Sequence, residues 1–224
     1  MSPKDLKFPF KWDDRLPWMG DKVFFVPNFY DRHDKMFFPS WEDERVFGRR
    51  AAVRIEYCAG NGDWIIEKAL AHPESNWVAV EKKFHRVRKI WSKMKNQGVS
   101  NLFIVCGEAF TFTKHYVSDG SFEAIYINFP DPWPKLRHAK HRLFHSGFLT
   151  EMARSSQTKA QLIVVTDHVE YASRIVQTLC EHCTWQPVFQ APYFVTEWLD
   201  YGTSFFDALW RKLGKTIHYL QFSL

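Results

Sequence analysis

From Ala51 onward, apolar residues fall into short dense runs that alternate with longer amphipathic stretches. AAVRIEYC has the character of a strand, and the AGNG after it is a turn. DWIIEKALA reads as a helix with Asp63 near its start. WVAVE is a short apolar strand. In KKFHRVRKIWSKMKNQG, Phe84, Val87, Ile90, Trp91 and Met94 share one side of a 3.6-residue period, and Gly98 stops the helix. NLFIVC, EAIYIN and QLIVVT predict three more strands, with helical stretches such as RLFHSGFLTEMARSS and HVEYASRIVQTLCEHC between and after them. Strands spaced by about 20 to 30 residues, each followed by a helix, predict βαβ units and an α/β fold with a parallel sheet. Crossovers in such units are right-handed. Ligands of such sheets bind outside the carboxyl ends of the strands. Residues 1–45 are rich in proline and aromatic side chains and lack clear periodicity, which predicts an N-terminal arm on a single domain spanning 1–224.

Composition narrows the class. A chain of 224 residues suits one domain, and 46% hydrophobic residues are ample for a core. The net charge of +5 points weakly to an anionic partner such as nucleic acid. Most of the 10 Trp and 21 Phe serve the core, and exposed ones can stack on bases. Cys180 and Cys183 form a C-x-x-C in a helix-like segment with no second pair at zinc spacing, so no metal site is expected. Cysteine usage reads as reduced and intracellular. The N-terminus has no apolar leader region, and no run of about 18 apolar residues occurs, so the expectation is a cytoplasmic, soluble protein with no membrane contact. No protein partner is evident.

The strand ends carry the chemistry. The first ends in Glu56, followed by Gly60 and Gly62, which let the backbone turn tightly and approach a ligand. The second ends in Glu81, about 20 residues beyond the last glycine, where an acid can accept hydrogen bonds from two ribose hydroxyls. After the third comes Glu108, placed to accept from an exocyclic amine such as that of adenine. Each feature alone selects loosely. Together they suit an adenosine-containing ligand, whereas a dinucleotide is disfavoured because G-x-G-x-x-G is absent.

The fourth strand runs into NFPDPWPKLRHAKHR, residues 128–142. Pro130, Pro132 and Pro134 predict an extended, stiff loop that fixes Asp131 and Trp133 at the active edge. Trp133 either stacks on a base or packs under the loop. Lys135, Arg137, His138, Lys140, His141 and Arg142 prolong that edge as a positive strip. An isolated charge run is usually solvated surface; beside a nucleotide-like pocket the odds reverse toward a functional strip.

NFPDPWPKLRHAKHRL resembles the signature of the bacterial tRNA (guanine(46)-N(7))-methyltransferases, the TrmB family. The likeness runs from about Ile55 to the C-terminus. It takes in the E-x-x-x-G-x-G turn at Glu56, Gly60 and Gly62, then Glu81, the Glu108-Ala109 pair and Thr166-Asp167. It implies a class I, Rossmann-like methyltransferase fold, a mostly parallel central sheet with helices on both faces. It also implies S-adenosyl-L-methionine as methyl donor and the variable-loop guanosine of tRNA as acceptor. Carried over by position, Glu56, Glu81, Glu108 and Asp131 resemble cofactor contacts, with Gly60 and Gly62 in the cofactor turn. Asp131 is the catalytic candidate. Lys135 and Asp167 resemble substrate contacts, and residues 137–142 an RNA-interacting segment. A late T-x-[FY]-E motif followed by a spaced glycine is matched by Ser204-Phe205-Phe206-Asp207 and Gly214, which adds Ser204 and Asp207 to the substrate set.

The chain departs from the pattern at Cys58, where the family's first turn glycine stands. A cysteine there implies a tighter pocket or a β-compatible backbone. Two alternatives stay open at this point. One is an adenosylmethionine-dependent methyltransferase acting on another base or on protein, since N-F-P-D echoes the N-P-P-Y loop of amino methyltransferases. The other is an RNA-binding protein with a degraded cofactor site.

Overall fold

The computed structural model describes residues 1–9, 15–27, 30–133, 142–199 and 201–224. They divide into two compact units, Met1–Ser118 and Asp119–Leu224.

In the first unit, strands β1 (Trp18–Gly20), β2 (Val23–Phe25), β3 (Val53–Tyr57), β4 (Asn76–Glu81) and β5 (Leu102–Cys106) lie in the order β1-β2-β5-β4-β3. The β2, β3, β4 and β5 strands are parallel, and β1 runs antiparallel at the edge. Every residue of β4 and β5 is buried. That is why these segments read as near-continuous apolar runs rather than alternating ones. Burying a side chain the size of Phe103 or Ile104 stabilises the fold by about 1.5–3 kcal/mol. Helices α1 (Asp63–Ala71), α2 (Phe84–Asn96) and α3 (Ala109–Tyr116) follow β3, β4 and β5. Val87, Ile90, Trp91 and Met94 of α2 are buried, as their spacing predicts, and the left-handed Gly98 (φ 66°) lies just past its end. Residues 1–45 do more than pack against the domain. Val23, Phe24 and Phe25 are wholly buried, β2 pairs with β5, and the Val26 N–H donates to the Cys106 carbonyl at 2.9 Å.

In the second unit, β6 (Phe122–Asn128), β7 (Ser156–Thr166), β8 (Gln186–Pro187) and β9 (His218–Ser223) lie in the order β6-β7-β9-β8. β6 and β7 are parallel; β9 runs antiparallel to β7 and β8. Helices α4 (Ser146–Ser155) and α5 (Val169–His182) flank β7 in the chain, and α6 (Phe205–Lys212) precedes β9. In α5, Tyr171, Ala172, Ile175, Val176 and Leu179 form the buried stripe. None of the helices described is long and apolar enough to cross a membrane.

Candidate active site

Three parallel neighbours bring three carboxylates to the C-terminal ends of β3, β4 and β5. The pairings Tyr57↔Val80 and Glu81↔Cys106 put the strand ends level. Glu56 and Glu81 are buried, at 2% and 5% exposure. The turn after β3 is clamped to the end of β4. The Ala59 N–H donates to the Val80 carbonyl at 3.0 Å, and the Gly60 N–H to Glu81 Oε2 at 3.0 Å. Glu81 Oε1 accepts from the Lys83 N–H at 2.7 Å, and Arg86 stands 3.7 Å from Oε2. A carboxylate has about four acceptor positions. One holds the turn and one takes the Lys83 N–H before α2, which leaves acceptor capacity for a ligand's hydroxyls. Gly62 is left-handed (φ 78°), and a Cβ there would come within 2.7 Å of Ile90 Cγ1, so only glycine fits.

Glu108 caps α3: its Oε2 accepts from the Thr111 N–H and hydroxyl, both at 2.7 Å. Its Oε1 has no hydrogen-bond partner among the described residues. Glu108 also lines a cavity of about 300 Å³, together with Val26, Pro27, Tyr30, His33, Lys82 and Thr111. A flat ring with exocyclic N–H donors suits that set, since it offers aromatic and apolar walls and one carboxylate acceptor. The His33 ring sits 4.1 Å from that of His115, nearly parallel, and its Nδ1 lies 2.7 Å from the Tyr116 hydroxyl. Desolvation holds the His33 pKa below its ordinary value, which favours the neutral ring. Burial, with the Glu81 carboxylate nearby, pushes the Cys106 thiol up to about 12, which makes it unreactive as a nucleophile.

In the second unit, the loop after β6 is built differently from its expected extended form. Prolines alone do not set it: Phe129 (φ 52°) and Trp133 (φ 40°) are left-handed and bend the backbone there. The Phe129 N–H donates to the Val165 carbonyl at 2.8 Å. Asp131 is exposed, and Trp133 is half-buried. Arg142 donates from Nε and Nη2 to the Trp133 carbonyl, both at 3.1 Å, so its guanidinium braces the loop. On the adjacent parallel strand, Asp167 follows the end of β7 and is ion-paired with Lys215.

A family model described as a putative methyltransferase matches residues 50–220. The chain belongs to this methyltransferase family. Among its relatives is a protein named tRNA (guanine-N(7)-)-methyltransferase from Chlamydia muridarum (strain MoPn / Nigg). It is 47% identical over 222 residues, 99% of this chain and 97% of that protein. A protein of the same name from Chlamydia trachomatis serovar D is 45% identical over the same shares. The solved structure titled "Structure of an Antibiotic Related Methyltransferase" covers 93% of this chain and 99% of its own. Its TM-score is 0.58 at 17% identity, a likeness of fold. The family read from residues 128–143 is borne out, and so is the methyltransferase fold.

Within this methyltransferase framework the predicted site residues fall into four sets. Glu56, Gly60, Gly62, Glu81 and Glu108 lie together in the first unit. Asp131, Arg142 and Asp167 lie at or beside neighbouring strand ends of the second. Lys135, Arg137, His138, Lys140 and His141 lie outside the described residues. Ser204 and Asp207 are engaged within the fold. Ser204 Oγ caps α6 by accepting from the Asp207 N–H at 3.0 Å. Buried Asp207 accepts from Arg211 Nε at 2.8 Å and from the Tyr219 hydroxyl at 3.2 Å. The cavity residues of the arm, Val26, Pro27, Tyr30 and His33, were not predicted. The apolar run KVFFV ended by Pro27 is the strand signal that points to them.

Cys58 has φ 61°, so its backbone is left-handed rather than β-compatible. A side chain there costs about 1–2 kcal/mol. Glycine relieves that strain but loses about 0.5–1 kcal/mol through its freer unfolded chain. Cys58→Gly is therefore expected to hold or slightly raise the Tm, and the β-branched Cys58→Val to lower it. Thermal unfolding of the two variants beside the parent checks both signs.

Proposed function

We propose that this protein transfers a methyl group from S-adenosyl-L-methionine to N7 of the variable-loop guanosine, position 46, of tRNA in the cytoplasm. The two units work as one methyltransferase domain, a reading supported by a single family model that runs through both. The observation that carries the cofactor is the set of carboxylates at three level strand ends beside a glycine turn with no room for a side chain. The residues fit the group. Glu81 would take the ribose hydroxyls, Glu108 and the cavity beside it the adenine, and Glu56 with the Gly60–Gly62 turn the methionine part. The bound cofactor supplies an electrophilic methyl on a sulfonium.

Guanine N7 has a lone pair and no proton, so no general base has to act first, and positioning can supply most of the rate. Asp131 is the group of this chain that we take to act on charge. Positive charge moves onto the guanine ring as the methyl is transferred, and a carboxylate beside it stabilises that distribution. Lys135, Arg137, His138, Lys140 and His141 supply a basic strip for tRNA phosphates. The guanine leaves its stack to react, at a cost of a few kcal/mol. Asp167, ion-paired with Lys215, is taken as a substrate contact on the family resemblance. Ser204, Asp207 and Arg142 serve as braces that shape the acceptor side.

Calorimetric titration with S-adenosyl-L-methionine tests the cofactor assignment. The parent is expected to bind one equivalent. Glu81→Ala is expected to bind at least 10-fold more weakly, because it removes a charge-assisted acceptor worth about 1.5–3 kcal/mol and releases the Gly60 turn. Equal affinity in the two proteins would remove Glu81 from the site.

A further inference from the structure

We propose that Tyr201 is a positioning residue for methyl transfer, acting through Asn128 on the loop that carries Asp131. The proposal rests on the methyltransferase reading of that loop. Its carrying observation is a short hydrogen bond, 2.6 Å from the Tyr201 hydroxyl to Asn128 Oδ1, between two buried side chains. Asn128 is the last residue of β6 and the hinge from which the loop departs. The next residue, Phe129, is left-handed, and so is Trp133 at the far end. Each such non-glycine residue costs about 1–3 kcal/mol and persists only where its surroundings hold it. Tyr201 is part of what holds it at the near end, together with the Phe129–Val165 backbone bond. Arg142 does the same at the far end.

Tyr201 also reaches the segment at Ser204–Asp207. Its ring packs 5.5 Å from that of Trp198 and 5.2 Å from that of Tyr219. The Tyr219 hydroxyl donates to Asp207 and accepts from Arg211 Nη2 at 2.9 Å. Val195 and Tyr219 exchange backbone hydrogen bonds, 3.0 Å and 2.8 Å. An unbroken run of packed rings and hydrogen bonds therefore joins the start of α6 to the root of the Asp131 loop. A tyrosine needed only to fill space would not require its hydroxyl to meet an amide oxygen in the core. Misplacing a reacting group by about 1 Å costs up to roughly 100-fold in rate, so a loosened loop root has a large lever on turnover.

Tyr201→Phe keeps the ring and removes the bond. Expected are a kcat about 10-fold lower, an unchanged Kd for S-adenosyl-L-methionine and a Tm within a few degrees of the parent. In an Asn128→Ala background the same substitution is expected to change kcat by less than 2-fold, since the bond is already gone. Amide hydrogen exchange in the peptide holding residues 128–133 is expected to quicken in Tyr201→Phe. An unchanged kcat and unchanged exchange would overturn the proposal. So would a 10-fold loss that is the same in both Asn128 backgrounds. If the parent transfers no methyl to tRNA, the functional reading fails while the exchange measurement still decides whether Tyr201 holds the loop.

Discussion

Asp131→Ala is expected to lower kcat by roughly 10²–10³ while leaving the Tm within about 2 °C. Both halves follow from where the residue sits. Its side chain is exposed, and surface substitutions away from special features change stability by about 0.5 kcal/mol or less. In a chain of this size that is at most about 2 °C. Removing one preorganised electrostatic group aimed at developing charge costs about 10²–10³ in rate. Asp131→Asn separates charge from shape. If the carboxylate acts electrostatically, the amide is nearly as slow as alanine; if it acts only as a hydrogen-bond acceptor, the amide recovers much of the rate. Initial rates on unmodified tRNA, with calorimetric melting of each protein, decide between these. A folded Asp131→Ala protein with near-normal turnover removes Asp131 from the mechanism.

Gly62→Ala is expected to be the most destabilising small change in the Gly60–Gly62 turn, by about 2–5 kcal/mol. Two costs add. The left-handed backbone at φ 78° disfavours any side chain by about 1–2 kcal/mol. The new Cβ would also lie 2.7 Å from Ile90 Cγ1, and overpacking of this kind costs about 1–3 kcal/mol. The Tm should fall by roughly 4–20 °C. Gly98→Ala is the control, because Gly98 is also left-handed (φ 66°) but a Cβ there meets nothing within 4 Å. It is expected to cost about 1 kcal/mol. The difference between the two variants measures the packing of α2 on the turn, and equal losses would show that Ile90 is not the obstacle.

Local patterns made the parallel core legible. The α1 and α2 segments, all-buried β4 and β5 and the acids at their ends follow from period and spacing alone. Features that depend on partners distant in sequence were not readable. β2 is three residues long and looks like part of an irregular arm until β5 is beside it. β9 lies at the C-terminus, and its antiparallel place beside β7 is set by that partner rather than by its own pattern. Proline content suggested a straight loop after β6, but the bends fall on Phe129 and Trp133, whose residue types do not announce a left-handed backbone. Arg142, Ser204 and Asp207 matched a family pattern, and their contacts turn out to be braces and caps within the fold. Tyr201 carried no signal at all. Its role emerges only from the 2.6 Å bond to a residue 73 positions away.

The most direct test is transfer of labelled methyl from S-adenosyl-L-methionine to unmodified tRNA by the intact protein, followed by nucleoside analysis of the product. The account predicts label in 7-methylguanosine, located in the variable loop and absent from tRNA whose variable-loop guanosine has been replaced. Label in another nucleoside, or no transfer by a protein that binds the cofactor, would contradict it.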